Sequence, residues 1–215
     1  MDRNSTLKSS LGHFLRSLWD LMMVNILWTA CSLPIVTIGP ATCAAYNVLL
    51  KTARDESTAT FSEFFKAFRS NFKQALLLGL IALAGIVVVS VDIQFAMTFE
   101  GKVKTLYLVL SGILGGLLLI FAAYVFPLQA RFENSLKGHV INAFKLAFVA
   151  PRKTVFMWIL WLIIPATAVL LPRDVVLTFG WFYLLFAVSL PMYINSKILR
   201  NLFDKLMGEK TNDES

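Results

Sequence analysis

The stretch LMMVNILWTACSLPIVTIGPATCAAYNVLL, Leu21–Leu50, decides the fold. It runs 30 residues without an Asp, Glu, Lys or Arg. A helix crosses the hydrocarbon core of a bilayer with about 20 mainly apolar residues, so this run is too long for one upright helix. Its middle accounts for the excess. Pro34 disturbs a helix, and Gly39-Pro40 breaks one. The expectation is a helix from about Leu18 to Val36, a break at Thr37–Pro40, and a returning helix from Ala41 to about Ala53. The returning arm reaches only about 20 Å at 1.5 Å per residue, against a core of about 30 Å. It must stand with little tilt, be shielded by neighbours, or be re-entrant. Broken backbone at membrane depth is tolerated only inside protein or beside a water-filled cavity.

Four further charge-free runs follow: Gln74–Val91, Thr105–Ala130, Thr154–Pro172 and Val175–Ser196. The chain is 57% hydrophobic and 15% charged, with a mean hydropathy of +0.69. Backbone groups find no water partner in lipid, so spanning segments are helices or barrel strands. Barrel strands alternate apolar and polar residues, whereas these runs are continuously apolar. The expected fold is all-α: a polytopic transmembrane helix bundle over residues 1–204, with the broken N-terminal hairpin, four further spans and two or three interfacial amphipathic helices. Residues 205–215 read as a charged cytoplasmic tail.

Of the 20 Lys and Arg, all but Lys102, Lys104 and Arg173 precede the first run, follow the last, or lie in 51–73 and 131–153. The positive-inside rule places those two loops and the C-terminus in the cytoplasm. A broken first hairpin puts the N-terminus there too. The net charge of +7 follows from the same asymmetry. These basic residues hug the ends of apolar runs, where anionic lipid headgroups attract them, so membrane lipids rather than nucleic acid are the expected partner.

Three segments have the pattern of helices lying in the headgroup layer. Residues 1–20 carry Leu7, Leu11, Phe14 or Leu15, and Leu18 at helical spacing, with Lys8, Arg16 and Asp20 on other faces. Residues 61–73 stripe Phe61, Phe64, Phe65, Phe68 and Phe72 against Lys66, Arg69 and Lys73. Thr60 and Glu63 have capping-box spacing at its start. Before the fourth run, Ile141, Phe144 and Phe148 take an apolar face and Pro151 ends the helix.

Five residues are candidate substrate-binding positions. Asn25 and Thr37 are polar groups flanking the break, and Gly39 and Pro40 form it. A half-helix starting at Ala41 would point its positive dipole end into the membrane. Asp92 is the only acidic residue within reach of an apolar run, and ionisable groups in a bilayer mark functional sites by default. Its position near the outer end of its helix favours an interface anchor. Ser111-Gly112-Ile113-Leu114-Gly115-Gly116 offers two small-xxx-small pairs, read as internal helix packing. Cys31 and Cys43 are expected to be reduced and packed. His13 and His139 stand apart with no Cys or carboxylate cluster, so no metal and no cofactor is expected. Nucleotide-binding and nucleophile-elbow motifs do not occur. An enzyme is therefore not the expected reading.

Asn25-Ile26-Leu27-Trp28, the segment Leu33-Pro34-Ile35-Val36-Thr37-Ile38-Gly39-Pro40-Ala41-Thr42-Cys43-Ala44-Ala45-Tyr46, Phe64-Phe65-Lys66-Ala67-Phe68, Asn71-Phe72-Lys73-Gln74 and Pro127-Leu128-Gln129-Ala130-Arg131-Phe132 resemble the YesL-like family of small bacterial integral membrane proteins. The resemblance covers nearly the whole chain, and the Pro-x-x-Thr-x-Gly-Pro segment is its most specific part. It implies a multi-pass plasma-membrane protein, often encoded near carbohydrate ABC-transporter genes. No reaction and no catalytic residue carry over. Two functions fit: an accessory component of carbohydrate uptake that contacts ABC-transporter subunits, or a small transporter or channel in its own right. The sequence leaves room for a homo-oligomer.

Overall fold

The structure is a computed structural model describing residues 3–56, 59–178 and 180–206. Among the described residues every regular element is a helix: α1 (Arg3–Ser32), α2 (Ile38–Thr52), α3 (Thr60–Ser70), α4 (Phe72–Ala96), α5 (Gly101–Arg131), α6 (Leu136–Val149), α7 (Pro151–Leu170), α8 (Arg173–Thr178), α9 (Gly180–Phe186) and α10 (Ser189–Leu206).

The decisive stretch folds as two helices joined by a short corner, but its boundaries differ from the expectation. α1 is one helix of 30 residues, so no separate interfacial helix precedes it. It stops at Ser32 because Pro34 drives the residue before it out of the helical region. A tight 3-10 turn, Ile35–Thr37, makes the corner. Gly39 and Pro40 then lie inside the first turn of α2 rather than in the break. The first amides of a helix have no intrahelical acceptor, so a proline there forfeits no hydrogen bond.

α2 is the hub of the bundle. Eleven of its 15 residues are buried, from Gly39 to Thr52. It packs against α1, α3, α4, α5 and α10. Shielding by neighbours thus resolves how so short an arm sits among longer helices. Its small residues Ala41, Cys43, Ala44 and Ala45 let the surrounding backbones come close, and Tyr46, Val48 and Leu49 fill the space beyond.

α4 and α5 form an antiparallel hairpin. Among the described residues they are the two helices long and apolar enough to cross a membrane; the number rises to four if each of two bent pairs is one span. Those pairs are α6 with α7, bent by 103°, and α9 with α10, bent by 42°. The fifth expected span, Val175–Ser196, is therefore interrupted at residues 187–188, between α9 and α10. Pro191 falls in the first turn of α10, where it again displaces no helical hydrogen bond. α10 extends to Leu206, and the rest of the expected tail lies outside the described residues.

Thr60 and Glu63 do not form a capping box. Ala59 is the N-cap of α3, without a side-chain cap, so Thr60 is already helical and its hydroxyl is turned to other use. On α6, Ser135 caps the N-terminus by accepting from the Gly138 amide at 3.1 Å. His139, Ala143, Leu146 and Ala147 face the protein, while Ile141 and Phe148 face outward.

Candidate functional site

The five sequence candidates do not converge on one site. Thr37 holds the α1–α2 corner: its hydroxyl donates to the carbonyls of Cys31, at 2.6 Å, and Pro34, at 2.7 Å. The Cys31 carbonyl belongs to the last turn of α1, where the helix supplies no donor, and the Pro34 carbonyl also accepts from the Thr37 amide at 2.9 Å. Pro40 is buried in the first turn of α2. Gly39 meets α4 backbone to backbone, with Gly79 as its counterpart. One turn into the bundle, the Trp28 indole donates to the Thr42 hydroxyl at 3.1 Å and ties α1 to α2.

Asn25 faces a different break. Its amide nitrogen donates to the Leu184 carbonyl at 2.6 Å. Its amide oxygen accepts from Val188, at 2.9 Å, and Ser189, at 3.0 Å. One buried side chain thus serves both the end of α9 and the start of α10. The three hydrogen bonds substitute for those lost where α9 stops and α10 begins.

Asp92 accepts a hydrogen bond from Ser111 across the α4–α5 hairpin. It is 13 residues beyond Gly79 on the same helix, about 20 Å along the axis at 1.5 Å per residue. Beside it Phe95, Phe99 and Tyr107 close the hairpin tip with ring separations of 5.0–5.5 Å. The small-xxx-small pairs split. Ser111 and Gly115 face α4, Gly115 lying against Val89, while Gly112 and Gly116 look into open space.

The interior polar groups that surround α2 form the better candidate. Tyr46 is buried with the side chains of Asn195, on α10, and Trp161, on α7, against its hydroxyl. Asn195 is fully buried, yet neither of its amide atoms meets hydrogen-bond geometry with a protein group; the same holds for the buried Gln129 of α5. A buried polar atom left unpaired costs about 1–3 kcal/mol, so the Gln129 amide is an expensive choice for mere packing, whereas the Asn195 amide has the Tyr46 hydroxyl beside it. Tyr124 and Thr154 share a hydroxyl–hydroxyl bond at 2.7 Å between α5 and α7. Gln129 and Asn195 stand in the sequence as polar interruptions of apolar runs. Tyr46 gave no such signal, because a tyrosine in an apolar run reads as an interface residue.

A second constellation gathers at the end of the bundle where α2 finishes. Buried Asp20 of α1 accepts from Thr52 at 3.2 Å and from Thr60 at 2.5 Å. Lys51 pairs with Glu63 at 2.6 Å, and Arg54 with Asp204 at 2.5 Å. Arg200 donates to the Ala53 carbonyl at 2.8 Å, at the C-terminus of α2 where a cation is favoured. The hydrogen bond from Lys51 holds the Glu63 carboxyl below its usual range; burial opposes it, and the charges of Lys51 and Lys66 assist. The sequence placed Asp20 on a polar face. It did not reveal that two threonines, 32 and 40 residues away, turn their hydroxyls to it.

A family model described as "Protein of unknown function, DUF624" matches residues 21–93, the region holding the C-terminal part of α1, all of α2 and α3, and nearly all of α4. The chain is 30% identical over 156 residues to "Uncharacterized protein YesL" of Bacillus subtilis (strain 168), across 69% of this chain and 72% of that protein. No solved structure matches it. With the corner of residues 33–37 and the whole of α2 inside the region the family model matches, and that relative aligned over two thirds of each chain, the chain belongs to the YesL-like family.

Proposed function

We propose that the chain is a multi-pass plasma-membrane protein that assists carbohydrate uptake by helix contacts with transporter subunits. One observation carries the helix-contact part of this reading. Gly112 and Gly116 present an uncovered small-xxx-small face on α5: a methyl group added to either would meet nothing within 4 Å. Small residues four apart let a second helix approach closely within lipid. The outer parts of α4 and α5 around them are apolar and mostly exposed, from Ile86 and Val87 to Ile113 and Leu117. The carbohydrate part rests on the genomic company that the family resemblance implies.

The test is co-purification from native membranes after gentle solubilisation. The wild-type chain should bring down transporter subunits. A Gly112→Leu/Gly116→Leu variant should lose them while remaining folded, because both substitutions point into open space. Recovery of the wild-type chain alone would refute the accessory role.

A small transporter or channel is the second reading, supported by the buried amides of Gln129 on α5 and of Asn195 on α10, the latter against Tyr46. Purified protein in liposomes would be assayed for flux of a panel of sugars and ions. Flux that Gln129→Leu and Asn195→Leu abolish supports it; no flux of any solute ends it.

A further inference from the structure

We propose a binding site for one anionic phospholipid in the cleft between the start of α7, the middle of α10 and the end of α2. The proposal rests on the membrane reading above and adds to it a defined site and lipid class.

The cleft has two adjoining lobes. One, of about 280 Å³, is lined by Ala53, Asp55, Lys197, Arg200 and Asn201. The other, of about 430 Å³, shares Lys197 and Asn201 and adds Arg152 and Lys153 with Phe156, Ile194 and Ile198. Four cations and one carboxylate line the pair, which leaves an excess of three positive charges. Arg54, at the end of α2, is already engaged by Asp204.

The chemistry is divided as a phospholipid is divided. Arg152 and Lys153 are the last charges before the apolar run of α7, and Lys197 is the first charge after the apolar run that enters α10. The three cations therefore stand at one level, where hydrocarbon gives way to headgroups. On the hydrocarbon side of that level lie Phe156, one turn into α7, and Ile194, one turn back along α10. Phe156 is half exposed, a surface suited to an acyl chain. Lys197 is steadied over the Tyr193 ring, its ammonium 4.7 Å from the ring centre, so its charge is held at the lip of the cleft. Arg200 spends one guanidinium nitrogen on the Ala53 carbonyl and keeps further N–H donors for a phosphate. Asp55 sits in the lobe away from α7 and sets a limit on how far an anionic group extends toward α2.

A soluble phosphate would use the cations but not the apolar wall. A neutral lipid would use the wall but gain less from three uncompensated charges. The combination selects a lipid with a net negative headgroup.

Native mass spectrometry of the full chain, released from nanodiscs of equal phosphatidylglycerol and phosphatidylcholine, tests this. The wild-type protein should retain one phosphatidylglycerol in preference to phosphatidylcholine. Arg152→Gln/Lys153→Gln/Lys197→Gln should reduce that retention about tenfold. Lys102→Gln/Lys104→Gln, at the opposite end of the α4–α5 hairpin, should leave it unchanged. The single substitutions Arg152→Gln and Lys197→Gln, each expected to lose part of the retention, keep the test valid if the triple variant fails to fold. Equal retention by wild type and variants, or no preference between the two lipids, would overturn the site while leaving the membrane reading intact. Displacement of the lipid by millimolar glycerol phosphate would overturn it in favour of a soluble anion. A chain that retains no lipid and stays soluble without detergent would instead overturn the membrane reading itself.

Discussion

Gly39 of α2 and Gly79 of α4 touch backbone to backbone. A methyl group on Gly39 would lie 2.2 Å from the Ala75 carbonyl oxygen and 3.0 Å from the Gly79 Cα; one on Gly79 would lie 3.0 Å from the Gly39 Cα. The contact sits where the hub helix begins, immediately after the corner that turns the chain around.

Because the obstructing atoms are main chain, no rotamer change relieves the clash. Gly39→Ala must push α4 away from α2, and the expected loss is about 3 kcal/mol. Gly79→Ala meets the Gly39 Cα at 3.0 Å and needs a shift of only a few tenths of an ångström, so it should cost less. Gly85→Ala is the comparison: its methyl would meet only the tip of Leu118, at 2.7 Å, and that side chain can turn aside. Midpoints of unfolding in a denaturing-detergent titration should place Gly39→Ala lowest, below both Gly79→Ala and Gly85→Ala. Equal midpoints for all three would show that the close approach does not exist in the folded protein.

Asn25→Leu removes one acceptor and one donor from three backbone groups at the α9–α10 break. The expected destabilisation is about 2 kcal/mol, at the cost of leaving buried amide groups unpaired. The sharper readout is local. Amide hydrogen exchange at Val188 and Ser189 should speed up, while exchange in α4 stays as it was. Asn25→Asp keeps the acceptor but loses the donor to Leu184 and adds a buried charge, so it should not rescue.

The Lys51–Glu63 pair predicts an acid sensitivity of defined sign. The folded carboxyl titrates below its ordinary value of 4.5. Its contribution is therefore complete above that value and fades as the pH falls below it. Both side chains are about one third exposed, which limits the contribution to about 1 kcal/mol or less. Glu63→Gln should be less stable than the wild type at pH 7 and equal to it near pH 3. A difference that persisted at low pH would assign the effect to packing instead.

Much of this architecture was legible because lipid imposes a coarse grammar. Charge-free runs marked α4 and α5 to within a few residues, and the Pro34 to Pro40 segment marked the corner. What stayed hidden depended on partners distant in sequence. Pro40 reads equally as a helix breaker or as a first-turn residue until the start of α2 is known. Asn25 read as a flank of the nearby corner, whereas its partners lie 159 to 164 residues downstream. The run Val175–Ser196 carries no charge to show that it is divided, and only the hydrogen bonds from Asn25 account for how that division is sustained. Helical periodicity also could not say which face of α6 turns inward, since Ile141 and Phe148 are as apolar as the residues that do.

Asp20 offers the most discriminating test of the packing around α2. Its carboxylate is 3% exposed and takes hydrogen bonds from Thr52, on the last turn of α2, and Thr60, on the first turn of α3. The three residues therefore clamp α1, α2 and α3 at a single point. Hydrogen bonds to a charged group contribute about 1.5–3 kcal/mol, so Thr60→Val should cost about 2 kcal/mol. The same substitution made in an Asp20→Leu background should cost little, because the hydroxyl then has no carboxylate to lose. A double-mutant cycle would register this as a coupling of about 1–2 kcal/mol between positions 40 residues apart. If the two substitutions were additive, Thr60 would be a first-turn residue that merely faces the interior, and α3 would be held to the bundle by the Lys51–Glu63 pair and the packing of Phe64 and Ala67.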